Sequence, residues 1–127
     1  MQSNSANSEF WLDKVATLIE SLPYMKQYSG LSVVIKFGGH AMGEQASIEA
    51  FSSDIVLLRQ VGAKPVVVHG GGPQIGSMLE RLKMESNFID GLRVTDQQTI
   101  SIVEMVLAGA INKSLVASIA SSGGMAV

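Results

Sequence analysis

Two glycine-rich segments of the chain each follow an apolar run and carry residue types that bind anions. Lys36-Phe37-Gly38-Gly39 follows the first run, and His69-Gly70-Gly71-Gly72-Pro73 follows the second. Glycine lets a backbone approach a ligand closely, and the N–H groups at a helix start offer donors with a partial positive charge of about half a unit. The two segments therefore predict a site for an anion.

Lys36 is the candidate for neutralising charge at this site. It lies two residues before Gly38, so its ammonium group could reach an anion held by the turn. In phosphoryl transfer the protein mainly positions the reactants and stabilises negative charge on the transferring oxygens. We therefore expect Lys36 to stabilise a transition state, although a lysine at a strand end more commonly just reaches solvent.

Arg93 is the candidate for binding a carboxylate. It stands between Gly91 and Thr95, and a guanidinium group is a planar fork that can grip a carboxylate with two hydrogen bonds. A surface ion pair with Asp90 or Asp96 explains this arginine equally well from the local sequence.

The second glycine segment also resembles a loosened dinucleotide-binding fingerprint, because Gly70, Gly72 and Gly76 recur along it. That fingerprint expects an acidic residue about 20 positions further on, at the end of a second strand. Glu85 and Asp90 are near in count, but Asp90 falls in a predicted hairpin turn. Half of a dinucleotide-binding oxidoreductase is therefore the weaker alternative.

The elements that position these residues alternate between strand and helix. Residues 31–37 and 65–68 are apolar runs typical of buried strands, and an amphipathic helix follows each. Gly62 is expected to close the first of these helices, and Pro73 to begin the second. This order predicts a three-layer α/β/α sandwich with a mostly parallel open sheet covered on both faces. Both glycine turns would then lie at the carboxyl ends of strands, where such sheets bind ligands.

The sequence after this unit predicts a hairpin and a long helix. Residues 88–94 form the hairpin around Asp90-Gly91. Thr95 and Gln98 are expected to form a capping box at the helix start, and Gly109 to allow a kink.

The last residues of the chain follow the predicted helix end at Gly123-Gly124. Residues 125–127 are apolar, like the start of a strand. Because natural domains avoid leaving a core strand unpaired, we expect the chain to be a fragment or a truncated product.

A further helix is predicted ahead of the first strand. Its apolar side chains recur at helical spacing, at Trp11, Val15, Leu18, Ile19 and Leu22. Ser8 is expected to cap its start and Pro23 to end it, with residues 24–30 as a connector. The chain is thus divided into residues 1–30, a polar tail with this helix and connector, and residues 31–127, part of one α/β domain.

Composition narrows the class of protein. The net charge is −2 with scattered basic residues, which argues against nucleic acid as a partner. There are no cysteines, and His40 and His69 lack the spacing of metal ligands, so no metal site is predicted. The apolar residues 100–120 contain Glu104 and Lys113, and such charges are costly in a bilayer. We therefore expect a buried helix of a cytoplasmic protein there, not a membrane span.

Four segments resemble the N-acetylglutamate kinases of the amino-acid kinase family. They are VVIKFGGHAM at 33–42, VVVHGGGPQI at 66–75, FIDGLRVTD at 88–96 and VEMVLAGAINK at 103–113. The glycine turns alone would fit other amino-acid kinases, whereas GLRVTD singles out the acetylglutamate enzymes. The resemblance covers nearly all of the chain from Leu31 onward and implies the N-terminal half of the amino-acid kinase fold.

The resemblance implies transfer of phosphate from ATP to the side-chain carboxylate of N-acetyl-L-glutamate, in arginine biosynthesis. Lys36 matches the lysine that stabilises the transferring phosphoryl group, and Gly38 and Gly39 match the turn that contacts it. The substrate would be bound by residues that match Gly71, Gly72 and Arg93. ATP with Mg2+ is implied, but the family's nucleotide-binding half would lie beyond Val127, so residues 1–127 alone are expected to be inactive.

The leading helix carries an expectation about assembly. In this respect the chain resembles the family members with an extra N-terminal helix. Those are typically the arginine-inhibited enzymes, in which these helices join homodimers into a hexamer. We expect a homodimer and a hexamer here, with arginine as a feedback inhibitor. A non-catalytic oligomerisation fragment is the remaining alternative.

Overall fold

The computed structural model describes residues 3–127 of the chain. In chain order the elements are α1 (Ser3–Tyr28), β1 (Ser32–Phe37), a 3₁₀ turn (Gly39–Met42), α2 (Gln45–Gln60), β2 (Lys64–His69), α3 (Gly72–Arg81), β3 (Phe88–Ile89), β4 (Leu92–Arg93), α4 (Gln97–Glu104), a π-helical segment (Met105–Ile111) and α5 (Asn112–Ser121). The predicted alternation of strand and helix from β1 to α3 is confirmed.

The two longer strands form a parallel pair whose register runs from Ser32 opposite Lys64 to Phe37 opposite His69. Side chains of a strand alternate between the two faces of a sheet. One face carries Phe37 and Val67 into the core, where the rings of Phe37 and Phe51 on α2 stack with centroids 3.9 Å apart. The helices that follow β1 and β2 therefore share one core with this face.

The other face of the pair is open. It carries Val34, Val66 and Val68, which are 70%, 50% and 51% exposed. The packed helices gather on one side of the pair, so within residues 3–127 only one of the two covering layers of the predicted sandwich is present.

The core lies between this sheet and the helices. Its buried side chains come from β1, the 3₁₀ turn, α3, the π-helical segment and α5, and they are Phe37, Met42, Ile75, Leu79, Val106, Ile111 and Leu115. Leu79 is fully buried, and Ile75 and Leu79 lie one helical turn apart on α3. The core therefore fixes the start of α3, which follows the second glycine segment.

The long helix begins at a different cap from the one predicted. The Asp96 carboxylate accepts a hydrogen bond from the backbone N–H of Thr99, with Oδ1 2.7 Å from N, and Gln97 is the first residue of α4. The capping box of Thr95 and Gln98 is therefore wrong. An aspartate one residue later can satisfy the same free N–H groups, and the Thr95 hydroxyl instead donates to the Arg93 carbonyl.

By length and composition alone, the continuous helix Gln97–Ser121 could cross a membrane. Its π-helical segment contains Gly109, and a kink at this glycine stays a prediction. One side of the helix lies in the core, with Val106, Ile111 and Leu115 buried. Only 11% of an apolar 18-residue window of this helix is buried within the described residues, so a core helix in place of a membrane span stays a prediction.

The leading helix is longer than predicted. It begins at Ser3 and ends at Tyr28, with Pro23 in its interior, so Ser8 as a cap, Pro23 as a stop and residues 24–30 as a connector are wrong. Proline removes one N–H donor and clashes with the preceding turn, yet this helix continues through Pro23 to Tyr28. From Ser8 to Leu22 its side chains are mostly exposed.

The turns largely follow the predictions, whereas the chain end does not. Gly62 has φ of +97° after α2, and Gly123 has φ of +88° after α5. Asp90 and Gly91 also have positive φ, which is typical of the predicted two-residue hairpin turn. Residues 125–127 are not a strand, because no strand in the described part of the chain pairs with them.

Candidate functional site

The two glycine turns meet at the carboxyl end of the strand pair. The N–H of Gly70 donates to the carbonyl oxygen of Phe37 at 3.1 Å, one step beyond the Phe37–His69 pair of the ladder. A methyl group built on Gly38 would lie 3.8 Å from the Gly70 nitrogen. The expectation that both turns border the same crevice is supported by this contact.

The second turn leads directly into α3, whose start has free hydrogen-bonding capacity. The carbonyl oxygen of Gly71, the N-cap, accepts a backbone hydrogen bond from Ile75 at 2.8 Å, and no side chain in the described part of the chain caps the helix start. Pro73 lies in the first turn as predicted and has no N–H to donate. The N–H groups of Gly72 and Gln74 are therefore the donors that this helix start can offer to an anion.

Gly71 and Gly72 are glycine for different reasons. A Cβ atom on Gly71 would lie 2.6 Å from both Leu107 Cδ2 and Ile111 Cδ1, so a side chain in this buried turn would have to displace these two methyl groups of the π-helical segment. A Cβ atom on Gly72 would meet none of the described atoms within 4 Å. Packing thus accounts for Gly71, whereas Gly72 is open to an approaching ligand.

Arg93 lies beside this helix start. Its Nη2 atom is 3.4 Å from the Gly72 carbonyl oxygen, its Nη1 donates to the Ser86 hydroxyl, and its Cζ lies 4.6 Å from the centre of the Phe88 ring. Its contacts in the described part of the chain include no carboxylate. Asp96 is the N-cap of α4, and its hydrogen bond from the Thr99 N–H holds the pKa of that carboxyl below its ordinary value. An ion pair with Asp90 or Asp96 is therefore not what places Arg93.

Lys36 lies at the same end of the sheet but on its open face. It is paired with Val68 in the ladder, and its side chain is exposed. The structure therefore brings Gly38, Gly72 and Arg93 into one neighbourhood, while Lys36 borders it from the uncovered side. Gly39 begins the 3₁₀ turn after β1, and the His40 side chain lies outside the described residues.

The remaining candidates have local structural partners. The Nδ1 atom of His69 is 3.0 Å from the Gly70 carbonyl oxygen, in agreement with a role in fixing the turn. Asp90 is in the hairpin turn with φ of +50°, and Glu85 is exposed in a loop, so neither closes a second strand as a dinucleotide site requires. Among the side chains that the structure describes, those of residues 8–38 and 41–127, no three His, Asp or Glu cluster as metal ligands.

Two residues near the site were not predicted from the sequence. The Gln74 amide nitrogen lies 3.5 Å from the Met42 carbonyl oxygen, and its Oε1 is buried with no hydrogen-bond partner among the described atoms. Phe88, whose ring lies beside the Arg93 guanidinium, is the second of these residues. Its position opposite Arg93 in the hairpin could have been found from the Asp90-Gly91 turn, which fixes the strand register.

The sequence profile of the amino acid kinase family matches residues 32–127. The chain belongs to the amino acid kinase family. Family members named acetylglutamate kinase are similar to it. That of Rhodospirillum centenum is 60% identical over 119 residues, covering 94% of this chain and 39% of the relative. That of Rhizorhabdus wittichii is 54% identical over 127 residues, covering 100% and 42%.

The chain thus spans about two fifths of the length of these relatives. Among solved structures, N-acetylglutamate synthase from Neisseria gonorrhoeae, complexed with coenzyme A and N-acetyl-glutamate, has a TM-score of 0.71 at 27% identity. The likeness covers 85% of this chain and 25% of that one. The family match confirms the predicted amino-acid kinase fold, and the similarity to acetylglutamate kinases confirms the resemblance carried by the four segments.

Proposed function

We propose that this chain is the substrate-side half of an acetylglutamate kinase, which transfers phosphate from ATP to the side-chain carboxylate of N-acetyl-L-glutamate. The observation that carries the proposal is the position of Arg93 beside Gly72 at the start of α3. A guanidinium group and uncapped helix N–H groups together favour a carboxylate ligand. The names of the relatives supply the particular carboxylate.

Arg93 binds one carboxylate of N-acetyl-L-glutamate through a two-hydrogen-bond fork. The backbone of Gly71 and Gly72 lies against the bound molecule, where the lack of a side chain on Gly72 leaves room. Holding the substrate in this way leaves its other carboxylate free to react, and positioning of this kind is the main contribution of a protein to phosphoryl transfer.

The reaction forms a bond between a substrate carboxylate oxygen and the γ-phosphorus of ATP. The bond between that phosphorus and the β,γ-bridging oxygen breaks, and its electron pair leaves with ADP. Lys36 neutralises charge on the transferring oxygens, with Gly38 and Gly39 donating backbone N–H groups to them. Because Lys36 points from the open sheet face, the phosphoryl group enters from that side.

Mg2+ accompanies ATP in this proposal, and no group of three His, Asp or Glu side chains that could hold it is found among the described residues. We assign no step of this chain to the metal. The nucleotide site is likewise assigned to protein outside these residues, and residues 1–127 alone are proposed to be inactive. Cytoplasmic location, a homodimer, a hexamer joined through α1 and inhibition by arginine belong to the same proposal.

A chimaeric enzyme tests the proposal. This chain would replace the 127 matched residues of the Rhizorhabdus wittichii acetylglutamate kinase. Acyl phosphate, trapped as a hydroxamate with hydroxylamine, should form only when both ATP and N-acetyl-L-glutamate are present. N-acetyl-glutaminamide, which lacks both carboxylates, is the matched control substrate. A folded chimaera that makes no hydroxamate, or that phosphorylates another acid in preference, would reject the proposal in favour of a non-catalytic or differently specific module.

A further inference from the structure

We propose that Phe88 and Ser86 are positioning residues that hold the Arg93 guanidinium toward the start of α3. The inference rests on the proposed function, since it concerns how this chain presents a cation to a carboxylate. The inference rests on the register of the β3–β4 hairpin and on the contacts of the Arg93 side chain. It gives Phe88 a role in substrate binding although Phe88 does not contact the substrate.

The hairpin turn determines how Phe88 and Arg93 lie relative to each other. Positive φ at Asp90 and Gly91 gives a two-residue turn that fixes the register of the strands. In that register Phe88 stands directly opposite Arg93, and Ile89 opposite Leu92. Directly opposite residues of an antiparallel pair project from the same face. The turn therefore determines that the aromatic ring and the guanidinium share one face of the hairpin.

The ring holds one side of the guanidinium. The Cζ atom lies 4.6 Å from the ring centre, within the range of a cation–π contact. Phe88 is 57% exposed and lies outside the buried core cluster. Core packing therefore does not explain why residue 88 is a phenylalanine. Its flat aromatic ring instead stacks against the planar guanidinium of Arg93.

Two hydrogen bonds fix the remaining orientation. Nη1 donates to the Ser86 hydroxyl, and Nη2 donates to the Gly72 carbonyl oxygen. Arginine has five N–H donors, so these contacts leave donors for a carboxylate. A methyl group built on Gly76 would lie 3.9 Å from Nη2, which places the guanidinium along the first turn of α3. A cation beside the positive N-terminal end of a helix is unfavourable unless an anion is present. An anion bound between the Arg93 guanidinium and the start of α3 would remove this repulsion.

Nuclear magnetic resonance of the 127-residue chain tests the placement, with Phe88→Leu as the main variant. Ring current from Phe88 should shift the Arg93 Nε–H signal, and Phe88→Leu should move that signal toward the position of a free arginine. Phe88→Tyr should restore it. Ile89→Ala, on the opposite face of the hairpin, is the control and should leave it in place. An Arg93 signal that is the same in wild type and Phe88→Leu overturns the inference.

Kinetics of the chimaera tests the consequence for binding. A cation–π contact at an exposed site corresponds to roughly a two- to five-fold change in a binding constant. Phe88→Leu should therefore raise the KM for N-acetyl-L-glutamate by about that factor, with kcat and the KM for ATP unchanged, and Phe88→Tyr should restore it. A parent chimaera that uses N-acetyl-L-glutamate but is insensitive to Phe88→Leu overturns this inference alone. A parent that does not use N-acetyl-L-glutamate overturns the proposed function and this inference with it.

Discussion

The Nη2 atom of Arg93 lies 3.4 Å from the carbonyl oxygen of Gly72, although 21 residues separate them in the chain. This contact joins the hairpin to the first turn of α3 and brings two residues with proposed substrate roles together. Since Gly72 also begins the helix after the second glycine turn, the same contact links Arg93 to the carboxyl end of β2. The proposed acetylglutamate site is built on this link.

Arg93→Lys keeps the charge but removes the planar fork. In the chimaera the KM for N-acetyl-L-glutamate should rise about tenfold, the value for one hydrogen bond to a charged group, with the KM for ATP unchanged. Arg81→Lys at the other end of α3 is the control, and steady-state kinetics is the measurement. If Arg93→Lys raises only the KM for ATP, Arg93 belongs to the nucleotide site.

Gly71→Ala and Gly72→Ala should separate packing from ligand access. The first places a Cβ 2.6 Å from Leu107 and Ile111 and should lower the free energy of unfolding by about 1–3 kcal/mol, as overpacking does. The second meets none of the described atoms within 4 Å and should keep stability but weaken binding of N-acetyl-L-glutamate. Chemical denaturation and calorimetric titration measure the two effects. Equal stability of the two variants would contradict the packing explanation for Gly71.

Asp96 should make the stability of α4 depend on pH. Its pKa is held below the ordinary value of 3.8, first by the hydrogen bond from Thr99. The ionised carboxylate therefore stabilises the fold above pH 3.8, and this contribution is lost as the pH falls through the lower, folded-state pKa. The melting temperature of Asp96→Asn should change less than that of wild type over this acidic range. Parallel curves for the two proteins would show that Asp96 does not cap α4 as an anion.

Deleting residues 1–28 should affect assembly more than catalysis. The helix α1 ends at Tyr28 and exposes Trp11, Leu18 and Leu22, and an apolar stripe on a solvent-exposed helix needs a partner surface. We expect the truncated chimaera to stay a dimer with much of its activity, to lose the hexamer and to respond less to arginine. Sedimentation and an arginine titration measure these effects. A truncated protein that remains hexameric and fully sensitive to arginine would assign α1 a role within its own subunit.

The strongest sequence signals predicted the local structure well. The apolar runs predicted β1 and β2, Pro73 predicted the start of α3, and Asp90-Gly91 predicted the hairpin turn. Each depends on backbone geometry that neighbouring residues determine. The kinase family followed from segments that include both glycine turns and GLRVTD.

Features that depend on long-range packing were harder to predict. The open sheet face was missed because apolar strands indicate burial without showing which part of a protein provides the cover. The reason for Gly71 lies in Leu107 and Ile111, whose approach to the turn no local pattern shows.

Two local features were also missed. Pro23 stands inside α1 instead of ending it, and Asp96 caps α4 in place of the neighbouring Thr95, because either residue type can accept from the free N–H groups of a helix start.

The central claim is that this chain supplies the charge-neutralising group of a phosphoryl transfer. Its most direct test is the kcat of the chimaera carrying Lys36→Ala, with Lys64→Ala, at the opposite end of the strand pair, as the control. The account predicts that Lys36→Ala lowers kcat by about 10²–10³-fold, with a much smaller effect on the KM for N-acetyl-L-glutamate, and that Lys64→Ala leaves kcat unchanged. A kcat for Lys36→Ala equal to that of the parent would contradict the account.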